Sequence, residues 1–347
     1  MKLVIVSKDL GGGAVAAPVA RIALDRGDEV VVVAEGLAPR VFAKLGVPLF
    51  FQGTPNCREY PFSLNMINLL EKVKPDVVLV TLGSPINLEL LAGVIANQLG
   101  VPLVFIEDCH GAYVRTSVVP NFVITLDDYA AKLVSMRHPQ TPIAVVGHPG
   151  VPTDDEVILI ADQYLADLKT TGARVYAFVG GDPGATDEQL VLLVGCLQRT
   201  TGKWCLIPRF HPKWVGVSDP VSGRTYGEIW RGLLEPIADY LEPDKVGDGR
   251  KLVASADVAV ADYSTLLTTA ACCGKTSIFL QTPMVLESMK KNTGLGVFPL
   301  VEMGCAHLVT LPRDLSLLTP PTVERLSKLK PYDPLRAYEL LRAFVGE

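Results

Sequence analysis

Two carboxylates and a histidine stand together at Glu107-Asp108-Cys109-His110-Gly111, directly after the apolar run Leu103–Ile106. Carboxylate and imidazole are the groups that take up or release a proton near neutrality when their surroundings tune them. Asp108 is the first candidate for a general base, with His110 and Glu107 behind it. The competing reading makes Asp108 a helix or turn cap and His110 a partly exposed polar residue. A second cluster, Arg209-Phe210-His211-Pro212-Lys213, places a histidine between two cations at another strand end. A protonated imidazole donates from both ring nitrogens, which suits phosphate oxygens; the plainer reading is a surface turn with solvated charges. A third, Asp262-Tyr263-Ser264-Thr265, follows the run Val258–Ala261 and opens an alanine-rich helical pattern. Hydroxyls and unbonded N–H groups converging at a helix start form an anion site, and Ser264 or Thr265 could equally be a plain N-cap.

Two glycine clusters sit where backbone rather than side chain would meet a ligand. Gly11-Gly12-Gly13 precedes a helical pattern from about Val15 to Arg26, and Gly180-Gly181 with Gly184 precedes one from Asp187 to Arg199. Glycine admits close approach of a ligand to the chain, and a helix N-terminus favours negative charge. Gly11 to Ala16 fits a GxGxxA dinucleotide fingerprint, with Glu35 ending the next strand. Ser7-Lys8-Asp9-Leu10 separates the first glycine from its strand, however, which that fingerprint does not have. The Gly274-Lys275-Thr276 triplet is not a phosphate-binding P-loop, because it runs from a helix end into a strand. No HExxH, paired CxxC or GxSxG pattern is present.

These residues need a rigid frame, and the sequence predicts one. Valine-rich strands are expected at Lys2–Val6, Glu29–Ala34, Val77–Thr81, Leu103–Ile106, Phe122–Thr125 and Ile143–Val146. After a loop at Gly147-His148-Pro149-Gly150 and a helix at Val157–Leu168, a second set follows at Arg174–Val179, Trp204–Arg209, Val258–Ala261 and Thr276–Leu280. Helical patterns separate them, including Leu69–Val73, Leu88–Leu99, Leu266–Cys273 and a last one at Pro334–Val345; a surface loop is expected over Lys213–Gly223. Strand–helix–strand repetition implies right-handed parallel crossovers, and strands without in/out alternation are covered on both faces. The 347 residues suit two α/β domains of doubly wound, Rossmann-like type. In such sheets ligands sit beyond the carboxyl ends of the strands, where all five clusters lie.

Hydrophobic residues make up 49% of the chain and charged residues 20%, which excludes general disorder. The net charge is −5 with no sustained basic run, so nucleic-acid binding is not expected. Seven cysteines, an odd number at no metal-ligand spacing, read as reduced thiols of a cytoplasmic protein. No apolar run is long enough to span a membrane; peripheral contact, for instance at the inner membrane face, stays open, as does oligomeric state.

The order of these loops resembles the GT-B glycosyltransferase architecture over nearly the whole chain. Gly147-His148-Pro149 is similar to the linker of lipid A disaccharide synthase-like enzymes. Arg209–Pro212 with Asp262–Thr265 looks like the motif pair of CDP-glycerol glycerophosphotransferases and some bacterial sialyltransferases. The resemblance implies an N-terminal acceptor domain (1–150), a C-terminal nucleotide-donor domain (151–333) and a closing helix (334–347) that returns to the first domain, with the working cleft between the two halves. It implies phosphate contacts from Gly180, Gly181, Arg209, His211, Tyr263, Ser264 and Thr265, an acceptor loop at Gly11, Gly12 and Gly13, and no required metal or cofactor. The substrate would be a nucleotide-activated sugar and the partner a sugar or lipid-linked acceptor, as in cell-surface polysaccharide synthesis, with inversion at the transferred carbon. Many UDP-sugar enzymes of this fold carry a ribose-binding Glu after the serine motif, and Leu266–Gly274 has none. Alternatives are a nucleotide-sugar 2-epimerase of the same fold, an NAD-dependent oxidoreductase, and a non-catalytic nucleotide-sugar-binding protein.

Overall fold

A computed structural model describes residues 1–52, 61–83, 88–153 and 163–346. It contains two compact units. The first comprises 1–149, 292–294 and 330–347; the second comprises 150–291 and 295–329.

The sheet of the first unit has seven strands: β1 (Lys2–Ser7), β2 (Glu29–Ala34), β3 (Phe51–Gln52), β4 (Val77–Val80), β5 (Leu103–Ile106), β6 (Phe122–Thr125) and β7 (Ile143–Val145). Their order is β3-β2-β1-β4-β5-β6-β7 and every pair is parallel. The chain leaves β1 towards one edge and returns to continue from β4 towards the other. The carboxyl ends of β1 and β4 therefore flank a switch point, where successive connections diverge and a ligand has room. Both faces of the sheet are covered, as the unbroken apolar runs require. Leu3, Ile5, Leu79, Val104 and Ile124 pack under the helices Leu10–Asp25 and Pro334–Val345. Val4, Val6, Val78, Val80 and Phe105 point the other way, towards the helices Pro61–Val73 and Leu88–Leu99.

The last helix is part of this core. Ala337, Tyr338 and Leu341 are buried in it, Tyr338 Oη donates to Asp28 at 2.8 Å, and the Phe344 ring stacks on Phe122. Gly147 (φ +95°) makes the approach possible, because any side chain there would overlap the Pro331 carbonyl oxygen. His148 N–H then donates to Lys330 O at 2.8 Å.

The second unit has five parallel strands: β8 (Arg174–Gly180), β9 (Trp204–Phe210), β10 (Val258–Ala261), β11 (Thr276–Leu280) and β12 (His307–Val309), in the order β12-β11-β10-β8-β9. Again the order reverses beside the first strand, between β8 and β10. Leu190, Leu193 and Leu197 of the helix Ala185–Leu197 bury against one face together with Trp230.

Three local expectations change. Gly11–Gly13 are not a loop but the first turn of the helix Leu10–Asp25: Asp9 is extended and stands as N-cap, and Gly13 N–H bonds to Asp9 O at 2.9 Å. The stretch expected as a loop after Lys213 starts with a short helix, Pro212–Val215, and is pinned by an antiparallel bridge between Ser218 and Thr225. Of the helix expected at Val157–Leu168, the described part is helical from Gln163 and runs on to Thr170; residues 154–162 lie outside the described residues, as does Cys57. Among the described residues, no helix is long and apolar enough to cross a membrane, and no disulfide is formed.

Candidate functional site

In the first unit the ends of β1, β4, β5 and β6 bring four carboxyl groups together. Asp108 follows β5 and lays its carboxylate against Gly11: a methyl group at Gly11 would overlap Asp108 Oδ2. Gly12 is similarly hemmed in by Thr81, whose Oγ1 would stand 2.5 Å from an added Cβ. The glycines thus let the first turn of a helix, with its unbonded N–H groups, descend onto the strand ends. Asp108 Oδ1 is buried and accepts no hydrogen bond. Burial raises the Asp108 pKa, the Arg115 guanidinium opposes that rise, and Asp9 adds to it. The result is a carboxylate more basic than usual, which is what a general base needs.

Glu107, next in the chain, points to the other side of the strand and is almost fully buried. Thr125 Oγ1 on β6 donates to its Oε2, while Oε1 has no partner. Burial pushes its pKa up to about 8, so Glu107 holds a proton at neutral pH. Glu89, in the helix Leu88–Leu99, is the third. It accepts from Thr81 Oγ1 at 3.2 Å and Gly83 N–H at 3.1 Å, and burial followed by the Asp9 charge lifts it to about 7. Arg115 is the counter-charge: it donates to Leu82 O, to Asn292 O at 3.0 Å and to Cys109 Sγ at 3.4 Å. Neither Glu89 nor Arg115 was singled out from the sequence. Glu89 had a signal, being the sole charge in an otherwise uncharged helix; Arg115 had none.

His110 is buried and its Nε2 lies 2.8 Å from Asp127 Oδ2. Asp127 is also the N-cap of the helix Asp128–Arg137, accepting from Ala130 N–H at 2.8 Å. Burial raises the Asp127 pKa, but the His110 hydrogen bond and charge and the Ala130 N–H outweigh it and hold the carboxylate below its usual range. The His148 ring lies 5.6 Å from the His110 ring and is fully enclosed; burial first, then His110, lower its pKa to about 3, so it stays neutral. A buried, carboxylate-oriented histidine of this kind is fixed in position and in ring orientation.

The second unit repeats the device. Gly181 follows β8, and a methyl group there would overlap Oδ2 of Asp262, which follows β10. Burial, with Asp182 adding to it, raises the Asp262 pKa to about 7. Gly180 is closed in by Phe210 and Thr186, and Gly184 (φ +72°) is the N-cap of the helix Ala185–Leu197. Ser264 caps the helix Thr265–Cys272, its Oγ accepting from Leu266 N–H at 3.3 Å, so the capping reading holds at this residue. Thr265 is the first residue of that helix, and Tyr263 Oη lies 2.8 Å from Ser288 Oγ. His211 is exposed, and its N–H donates to Gly180 O at 3.2 Å, holding the end of β9 to the end of β8. Arg209 is engaged elsewhere: it forms an ion pair with Asp244 and donates to Gly247 O at 3.0 Å. Its guanidinium anchors the 244–247 loop.

Two parallel α/β units, each with its polar groups at a switch point, and a closing helix that returns to the first unit define the GT-B fold. Solved structures with that fold match the chain nearly end to end. Staphylococcus aureus MnaA, solved with UDP, has a TM-score of 0.67 at 14% identity, covering 99% of this chain and 97% of that one. The UDP-GlcNAc 2-epimerase of Methanocaldococcus jannaschii has 0.63 at 14%, covering 99% and 100%. MurG of Acinetobacter baumannii has 0.60 at 18%, covering 99% and 100%. At these identities the likeness is one of fold. No protein-family profile and no curated relative match the chain.

Proposed function

We propose that this chain is an enzyme that transforms a nucleotide-activated sugar, transferring the sugar to an acceptor hydroxyl. The observation that carries the reading is Asp108. It is a carboxylate buried against a glycine helix start, with one oxygen unpartnered and its basicity raised. It takes the acceptor proton as the new bond forms, while the nearby Arg115 guanidinium offsets part of the cost of its charge. The nucleotide's phosphates bind the second unit. The Gly181 and Gly184 backbone, Thr265 N–H and the exposed His211 supply donors, and Asp262, protonated near neutrality, can add one more. Negative charge grows on the leaving phosphate oxygen, and fixed donors stabilise it, so the scheme calls for no metal or other cofactor.

A second reading, 2-epimerisation of the sugar without an acceptor, is favoured by one specific feature. Glu107 and Glu89 both hold protons near neutrality within the cluster that contains Asp108. Elimination and re-addition need an acid and a base together, and neighbouring carboxyls whose pKa values are all raised by burial could share those roles. The names of several fold neighbours, UDP-GlcNAc 2-epimerases among them, agree with a nucleotide-sugar substrate.

The experiment has two stages. A thermal-shift series with UDP, CDP, CMP, GDP, dTDP and NAD identifies the nucleotide, since a ligand at 100 times its Kd stabilises by about 2.7 kcal/mol. The matching nucleotide-sugar is then incubated alone and with acceptor alcohols. A new sugar isomer in the first tube establishes epimerisation, and acceptor-dependent nucleotide release establishes transfer. Stabilisation by NAD alone would overturn both.

A further inference from the structure

The amino-terminal edge of the second unit's sheet carries a feature the proposed function does not use. A shallow, solvent-open depression of about 510 Å³ lies there, lined by Lys169, Arg174, Asp257, Gly274, Lys275 and Thr276 among others. It lies at the start of β8 and β11, whereas Gly180 and Gly181 lie past the end of β8. Six residue steps of strand separate the two ends, about 20 Å.

The charges in this depression do not balance. Asp257 is the sole carboxylate lining it. One of its oxygens pairs with Lys169 Nζ at 2.7 Å and the other accepts Val175 N–H at 2.9 Å, so its capacity is taken up. Arg174 spends its donors on neutral oxygens: Ser316 O at 2.9 Å, Leu318 O at 3.0 Å and Thr276 Oγ1 at 3.3 Å. Lys275 is half-buried and forms no ion pair among the described residues. Burial, followed by repulsion from Lys169, lowers its pKa. Three cations thus face one carboxylate in a shallow, open depression, which leaves the local charge positive. Gly172 and Gly274, both at positive φ with nothing near the position of an added Cβ, keep the mouth open. No aromatic ring lines the depression, so nothing in it stacks on a nucleobase.

We infer that this depression is an anion site for a small phosphate-bearing ligand of at least two negative charges, held by Lys275, Arg174 and Lys169. The Gly274-Lys275-Thr276 triplet presents its lysine to that ligand from the start of a strand. The ligand recognised is the oxyanion itself, either free or on a phosphate ester.

The test uses the whole protein and calorimetric titration at fixed ionic strength. Inorganic pyrophosphate is the first probe, and a sugar monophosphate in a separate arm distinguishes the free ion from the ester. Pyrophosphate should bind the unaltered protein. Lys275→Gln should weaken binding by about tenfold or more, the loss of one charge-assisted contact. With the nucleotide site saturated by the nucleotide that stabilises the protein, Lys275→Arg should retain it, and Arg336→Gln, at an exposed position of the first unit, should bind as the unaltered protein does. A thermal midpoint for Lys275→Gln equal to that of the unaltered protein shows that the lost binding is not unfolding; if that variant is unstable, Lys169→Gln takes its place. No binding at millimolar pyrophosphate, undiminished binding by both glutamine variants, or binding abolished by Arg336→Gln would each overturn the assignment.

Discussion

Placing alanine at position 11 asks whether Asp108 is seated against the helix start. Gly11 sits in the first turn of a 16-residue helix with no positive φ, so alanine fits the backbone there and by propensity alone would stabilise it by up to about 1 kcal/mol. Its methyl group, however, overlaps Asp108 Oδ2 and stands 3.1 Å from Asp108 Cγ. Either the carboxylate swings away or the helix shifts, at a cost of about 1–3 kcal/mol for overpacking. The net expectation for Gly11→Ala is a loss of about 0–2 kcal/mol. In an Asp108→Ala background the obstacle is gone, and the same substitution should be neutral or stabilising by up to about 1 kcal/mol. The double-mutant cycle should therefore show a coupling of about 1–3 kcal/mol, measured by urea unfolding of the four proteins. Turnover of Gly11→Ala should fall about a hundredfold, because a shift of about 1 Å in a proton acceptor is enough for that. If Gly11→Ala changes stability by the same amount in both backgrounds, within about 0.5 kcal/mol, Asp108 does not rest on Gly11.

Glu107 makes stability depend on pH in a defined direction. Its folded pKa of about 8 lies above the ordinary value of 4.5, so stability is full below the ordinary value and falls as pH rises towards about 8. Glu107→Gln, which mimics the protonated carboxyl, should flatten that decline in a series of thermal midpoints from pH 4 to 9; an unchanged slope would mean the carboxyl is not buried as a proton holder. In the second unit, Arg209→Ala should cost about 1 kcal/mol by releasing the 244–247 loop yet change nucleotide affinity less than threefold. His211→Ala should do the reverse, with an unchanged midpoint and nucleotide binding weakened tenfold or more, both read by titration of the nucleotide that stabilises the protein.

The sheets were largely legible in the chain because parallel strands buried on both faces leave uninterrupted valine and leucine runs. Ten of the strands occur where those runs lie, while Phe51–Gln52 and His307–Val309, at two and three residues, are too short to leave a pattern. Glycine was misread at one point. Gly11–Gly13 carry the composition of a loop, yet they are helical, because the need for them comes from Asp108 and Thr81, some 70 to 97 residues away in the chain. The same distance hid the roles within the site. Glu107-Asp108-His110 stood out as a cluster, but only the fold separates a proton-holding Glu107 under Thr125, an Asp108 at the helix start and a His110 locked to Asp127. Arg209 looked like a phosphate ligand because it ends a strand. Its partner Asp244 lies in a loop that no local pattern connects to it.

The division of the chain has a consequence for how the protein is made. All seven strands of the first unit are synthesised within its first 145 residues. The helix that covers part of one face, Pro334–Val345, and the segment that bonds to His148 come last. During translation at about 5–20 residues per second the nascent first unit waits on the order of ten seconds or more with apolar surface of the helix Leu10–Asp25 and of Phe122 uncovered. The second unit, with its own core and all of its strands between residues 174 and 309, reaches completion before the first one is sealed. The unit that begins first therefore finishes last, and removal of the final eighteen residues would leave its sheet intact but its surface open to association.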